Sequence, residues 1–139
     1  MTQHVPATAR SYLVSVLVGP EAVRQAREEV AERFGEVGVA PGSAFADTVL
    51  LVVSELVVNV LRHAPQSPVA NVGITVGEGQ LVVSVADAES RLPDLEPGAM
   101  GAGLLLVAEL AAEYDGDVRA EPAVDHGGKV VLVRFRVPS

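Results

Sequence analysis

The sequence predicts an α+β fold, a two-layer sandwich in which a mixed, mostly antiparallel sheet carries helices on one face. Two observations carry this. Segments alternating with period two and segments of helical period follow in the order strand, helix, helix, two strands, loop, helix, two strands. Two of the strand pairs are joined by connections too short for a crossover, Gly77-Glu78-Gly79 and Pro122–Gly128, so their strands run antiparallel.

The elements follow from local chemistry. Tyr12–Val18 alternates and is rich in Val and Leu, which makes a first strand. Gly19-Pro20-Glu21 opens a helix, with Pro20 where a missing N–H does no harm. Through Glu21–Val37 the residues Val23, Ala26, Val30, Phe34 and Val37 recur at helical spacing, while Arg24, Arg27, Glu28 and Glu32 stay polar. Gly38–Gly42 is a turn, Ser43 an N-cap, and a long helix over Ala46–Ala64 follows. Val69–Val76 and Gln80–Asp87 form a hairpin. Ala88–Met100, with Pro93, Pro97 and Gly98, is a loop, and Gly101-Ala102-Gly103 starts an apolar helix reaching about Glu113. Strands near Asp115–Glu121 and Lys129–Val137 complete the sheet.

Length and composition narrow the function classes. One domain fits 139 residues, with residues 1–10 expected to be flexible. The apolar share is 49%, yet no uninterrupted apolar run approaches the ~20 residues of a membrane span, and Met1–Arg10 lacks a secretory core. A cytoplasmic protein without a membrane partner is the expectation. With no Cys there is neither a disulfide framework nor a thiolate metal site. A formal net charge of −8, with Lys129 the single lysine, argues against nucleic acid as a partner.

Within the long helix, Glu55, Asn59 and His63 stand at four-residue spacing among apolar residues, with Arg62 beside them. At helical pitch they climb one side over about 12 Å. Buried polar groups need partners, so such a stripe meets either other polar groups or a bound ligand. Asp87 ends a Val-rich strand where the chain breaks into a loop. Gly101-Ala102-Gly103-Leu104 places small residues at a helix N-terminus, where free N–H groups and the helix dipole favour anions.

Together these segments resemble a known family. Ser54-Glu55-Leu56-Val57-Val58-Asn59-Val60-Leu61-Arg62-His63-Ala64 resembles the N-box of the GHKL ATPases, the superfamily of gyrase, heat-shock chaperones, histidine kinases and mismatch-repair proteins. Asp87 resembles the start of the G1 box, and Gly101–Val107 the G2 box. The Asn-x-x-Arg-His-Ala ending and the short loop between boxes are similar to the anti-sigma-factor serine kinases. The resemblance spans Tyr12 to Val137 and implies a Bergerat-type ATP-binding fold.

What it implies can be placed on this chain. Glu55 would be the catalytic base of phosphoryl transfer and Asn59 the Mg²⁺ ligand, with ATP as the nucleotide. Arg62 and His63 would approach the phosphates or ribose. Asp87 would accept a hydrogen bond from the adenine amino group. Gly101, Gly103 and Leu104 would bring backbone amides to the phosphates, under a lid formed by Ala88–Met100. Arg62 and Arg91 are the cations near enough to neutralise transferred charge. A serine/threonine protein kinase is implied, with a sigma factor and a small antagonist protein as partners, and a homodimer as a further expectation. The alternative is the same fold with weak or vestigial nucleotide binding, acting by protein contact alone. Two departures stand out: Ala88-Glu89-Ser90 replaces the usual glycines after Asp87, and Val130 aligns where the family carries a threonine near the adenine.

Overall fold

A computed structural model describes residues 10–96, 98–123 and 127–138. Apart from Arg10, the segment expected to be flexible lies outside the described residues. The elements are β1 (Arg10–Leu17), α1 (Ala22–Glu32), α2 (Ala44–His63), β2 (Val69–Gly77), β3 (Gln80–Asp87), α3 (Ala102–Ala112), β4 (Asp117–Pro122) and β5 (Lys129–Arg136), with a short 3₁₀ turn at Gly35–Val37 after α1.

The five strands form one sheet in the order β1-β2-β3-β5-β4, and every neighbouring pair is antiparallel. The mixed sheet expected from the sequence is thus antiparallel throughout. Both short connections join adjacent strands, as their lengths require. Alternation decides which residues enter the core: Leu81, Val83, Val85 and Asp87 from β3 face inward, as do Lys129, Val131, Val133 and Phe135 from β5. Helix α2 lays Val49, Val52, Val53, Leu56, Val57 and Val60 into the same core and touches both α1 and α3. Phe45 closes one end of the core edge-on against Tyr114 and Phe135, with ring centroids 4.9 and 5.7 Å away.

Three local details refine the expected boundaries. The first long helix stops at Glu32, and the chain tightens into the 3₁₀ turn because Gly35 and the left-handed Gly38 (φ 79°) release it. Ser43 caps α2 as expected, accepting the Ala46 N–H at 3.1 Å, so the helix already starts at Ala44, ahead of the apolar stretch. Beyond α3, Asp115 takes φ 55° and the Gly116 N–H returns to the Ala111 carbonyl, which delays β4 to Asp117.

By length and composition, α2 would suffice to cross a membrane, with a mean hydropathy of 1.9 in its most apolar window. Counting unbroken apolar runs misses this, because Glu55 and Asn59 interrupt the run without ending the helix. In the fold that apolar surface supplies the core.

Candidate functional site

A cavity of about 380 Å³ opens between α2, α3 and the loop that follows β3. Its size falls within the range of small-molecule sites. One wall is the polar stripe of α2: Glu55, Val58, Asn59, Arg62 and His63 all line it. These positions share a helix side for the reason the spacing gave, while the opposite side is held by the buried valines. Arg27 of α1 fixes α2 behind the stripe, donating to the Ser54 hydroxyl at 2.7 Å and to the Leu50 carbonyl at 3.3 Å.

The second wall is the start of α3. Gly101, Ala102, Gly103 and Leu104 line the cavity. The N–H of Leu105 is the first to bond within the helix, to the Gly101 carbonyl at 2.9 Å, which leaves the preceding N–H groups without helical partners. Gly101 has open space where a Cβ would stand. Gly103 does not: a Cβ there would sit 2.8 Å from Glu55 Oε2. The Glu55 carboxylate therefore rests over the first turn of α3, at the positive end of the helix dipole. The resemblance gave Gly103 to phosphate approach; in the structure its missing side chain is what admits Glu55.

The third wall is the loop, contributing Glu89, Arg91, Leu92, Pro93, Asp94 and Ala99. Its root is anchored by Ser67, which lies buried in the turn after α2. The Ser67 hydroxyl donates to the Val69 carbonyl at 2.8 Å and accepts from the Ala88 N–H at 3.0 Å. The sequence offered no signal for Ser67, a single serine among turn residues.

The end of the cavity beside the sheet differs most from expectation. Asp87 is 4% exposed, and its oxygens accept from Lys129 Nζ at 2.8 and 2.9 Å. Oδ1 also accepts the Glu89 N–H at 2.9 Å. Lys129, likewise 4% exposed, lines the cavity, whereas Asp87 is not among the lining residues. Across the β3–β5 ladder Asp87 faces Lys129, while Val130, the residue aligned with the family's threonine, faces Ala86. Alternation carried the signal: Val131, Val133 and Phe135 point inward, and Lys129 continues that row. A lysine so placed requires a carboxylate partner.

Thus one cavity gathers Glu55, Asn59, Arg62, His63, Gly101, Gly103 and Leu104, together with Arg91, while Asp87 lies behind Lys129. Among the described residues no group of three His, Asp or Glu side chains could hold a metal ion alone. A Mg²⁺ held here by Asn59 would take its remaining ligands from phosphate oxygens and water, as that ion commonly does. The α3 end fits a polyphosphate in size, free N–H groups and neighbouring arginines. The Asp87 end presents a cation to the cavity in place of a free carboxylate.

The histidine kinase-like ATPase domain family model matches residues 17–135. Among solved structures, the chain is similar to the histidine kinase domain from the Erythrobacter litoralis EL346 blue-light activated histidine kinase. That match has a TM-score of 0.56 and 17% identity, covering 88% of this chain and 65% of that one. A second structure of the Erythrobacter litoralis EL346 blue-light activated histidine kinase gives a TM-score of 0.59 and 19% identity, covering 88% and 46%. The chain therefore spans less than two thirds of either. A search of curated proteins finds no match. At these identities the structural likeness concerns the fold. With most of the chain matched by the family model, this protein belongs to the histidine kinase-like ATPase domain family.

Proposed function

We propose that the chain is a nucleotide-dependent regulator of the anti-sigma-factor type, a serine/threonine kinase that phosphorylates a small antagonist protein and sequesters a sigma factor. The observation that carries the phosphoryl-transfer part is the convergence of Glu55, Asn59 and the free N–H groups of α3 on one cavity. Neither a carboxylate nor an amide favours an apolar helix unless something polar faces it. Glu55 would hold the proton of the attacking hydroxyl, and Asn59 would ligate Mg²⁺ bridging the phosphates of ATP. Arg62 and Arg91, both at the rim of the cavity, would oppose the charge of the transferred group.

The protein partners rest on the family resemblance. A homodimer formed through β1 is supported by that strand's place at the sheet edge and by Leu13 and Leu17, which are 72% and 74% exposed.

The second reading, a module acting by protein contact with little nucleotide binding, is favoured by the Asp87–Lys129 pair, which occupies the carboxylate meant for a base. Calorimetric titration with ATP, with and without Mg²⁺, separates the two readings. Magnesium-dependent binding that Asn59→Ala removes supports the kinase. Absence of binding at millimolar nucleotide, with the protein folded, supports the contact module.

A further inference from the structure

Lys129 lines the cavity and its Nζ holds both oxygens of Asp87, which does not itself line the cavity. An ammonium has three donors and no acceptor. Two of its hydrogens serve the Asp87 oxygens, and the pair is almost wholly withdrawn from water, so the bonds are charge-assisted and strong. The member of the pair in the cavity wall is thus the cationic one, with one hydrogen beyond the two that Asp87 accepts.

An adenine amino group is itself a donor and would meet a cation there. To reach Asp87 it would have to displace Lys129 from both oxygens and leave the ammonium buried and unpaired, a costly exchange. A base presenting a carbonyl oxygen has no such conflict, since that oxygen can accept from Nζ without breaking the pair. Of the other carboxylates on the wall, Glu55 lies over the first turn of α3 and Glu89 Oε1 accepts the Arg91 N–H at 3.1 Å, and the ammonium of Lys129 is bonded to Asp87.

We propose that Lys129 is a specificity-determining residue. It turns the base end of the site from acceptor to donor, so that a 6-oxopurine nucleotide is bound at least as tightly as ATP. The proposal rests on the nucleotide-binding reading above and sharpens it.

The test is calorimetric titration of the whole chain with the Mg²⁺ complexes of ATP, GTP and ITP, each against wild type, Lys129→Gln and Lys129→Thr. ITP carries the 6-oxo group without the 2-amino group of GTP, and so isolates the carbonyl. Lys129→Gln keeps a neutral donor for Asp87 and can turn a carbonyl oxygen toward the cavity. The expected result is that wild type binds GTP and ITP as tightly as ATP or tighter, and that Lys129→Gln moves the preference toward ATP by about tenfold or more. Lys129→Thr should move it in the same direction. Should either variant lose its cooperative melt, the wild-type preference alone decides.

Wild-type binding of ATP tenfold tighter than both GTP and ITP would overturn the proposal while leaving the nucleotide-binding reading intact. So would an ATP-to-ITP ratio that folded Lys129 variants leave unchanged. Binding of ATP by a variant, with no nucleotide bound by wild type, would overturn the 6-oxopurine preference. Failure of every nucleotide on every folded protein would remove the 6-oxopurine preference and the nucleotide-binding reading together.

Discussion

Glu55 and Gly103 form the contact on which the proposed chemistry turns. The glycine's missing side chain lets the carboxylate lie over the first turn of α3, since a Cβ there would approach Oε2 to 2.8 Å. Gly103→Ala should therefore push aside the end of a flexible side chain and leave the backbone alone. Alanine is the better helix former by about 1 kcal/mol, so stability should hold or rise by up to that amount. Phosphoryl transfer should fall at least tenfold in the same protein, as a misplaced base does. Glu55→Gln should lower transfer by about 10²–10⁴-fold while nucleotide affinity is kept. Single-turnover assays beside thermal melts separate these effects, and a Gly103→Ala protein with full activity would refute the contact's role. The stripe of Glu55, Asn59 and His63 was legible because helical spacing alone aligns it. The Gly103 contact was not, because it joins two helices whose approach is set by the core between them.

Among the elements, the junction of α3 and β4 is the most tightly constrained. A Cβ on Gly116 would stand 1.7 Å from the Arg134 carbonyl oxygen and 2.7 Å from its carbon, both atoms of the β5 backbone. No rotamer change relieves such a clash, so β5 itself must shift. Gly116→Ala should cost about 3 kcal/mol or more, read as a lowered urea midpoint. A loss under 1 kcal/mol would mean that the junction is looser than its geometry. The sequence made β4 start at Asp115, two residues early. The alternation there is readable, but the turn depends on how closely the end of α3 meets β5. By contrast, all three helices and all five strands were legible, since each has an apolar period of its own and both hairpins have short connections. What local pattern does not encode is how neighbouring strands align. The residue opposite Asp87 is Lys129 because the β3–β5 ladder pairs Gln80 with Arg136 and continues residue by residue to that point. Val130, which aligns with the family's threonine, stands one position further on and pairs with Ala86.

Across the whole molecule, the Asp87–Lys129 pair is a polar contact set at the inner face of a sheet whose other buried side chains are apolar. It links β3 to β5 near the middle of the strand order and stands where the core gives way to the cavity. Burying both charges is expensive, and their attraction offsets that expense only while both are present. Removing one partner should therefore hurt far more than replacing both. Lys129→Met leaves an uncompensated carboxylate and should destabilise by about 3–5 kcal/mol. Adding Asp87→Leu to it should recover most of that loss, bringing the double variant close to wild type or above it. Urea denaturation of wild type, Lys129→Met, Asp87→Leu and the double variant closes the cycle. If Lys129→Met lies within 1 kcal/mol of wild type, the carboxylate has found water through the cavity, and the pair is no constraint on the fold. If the double variant instead remains as unstable as Lys129→Met, the loss lies in packing around the lysine stem rather than in an orphaned charge. Recovery in the double variant would show that an apolar pair serves the fold equally well, so that stability alone gives no reason for an ion pair at the base end of the cavity.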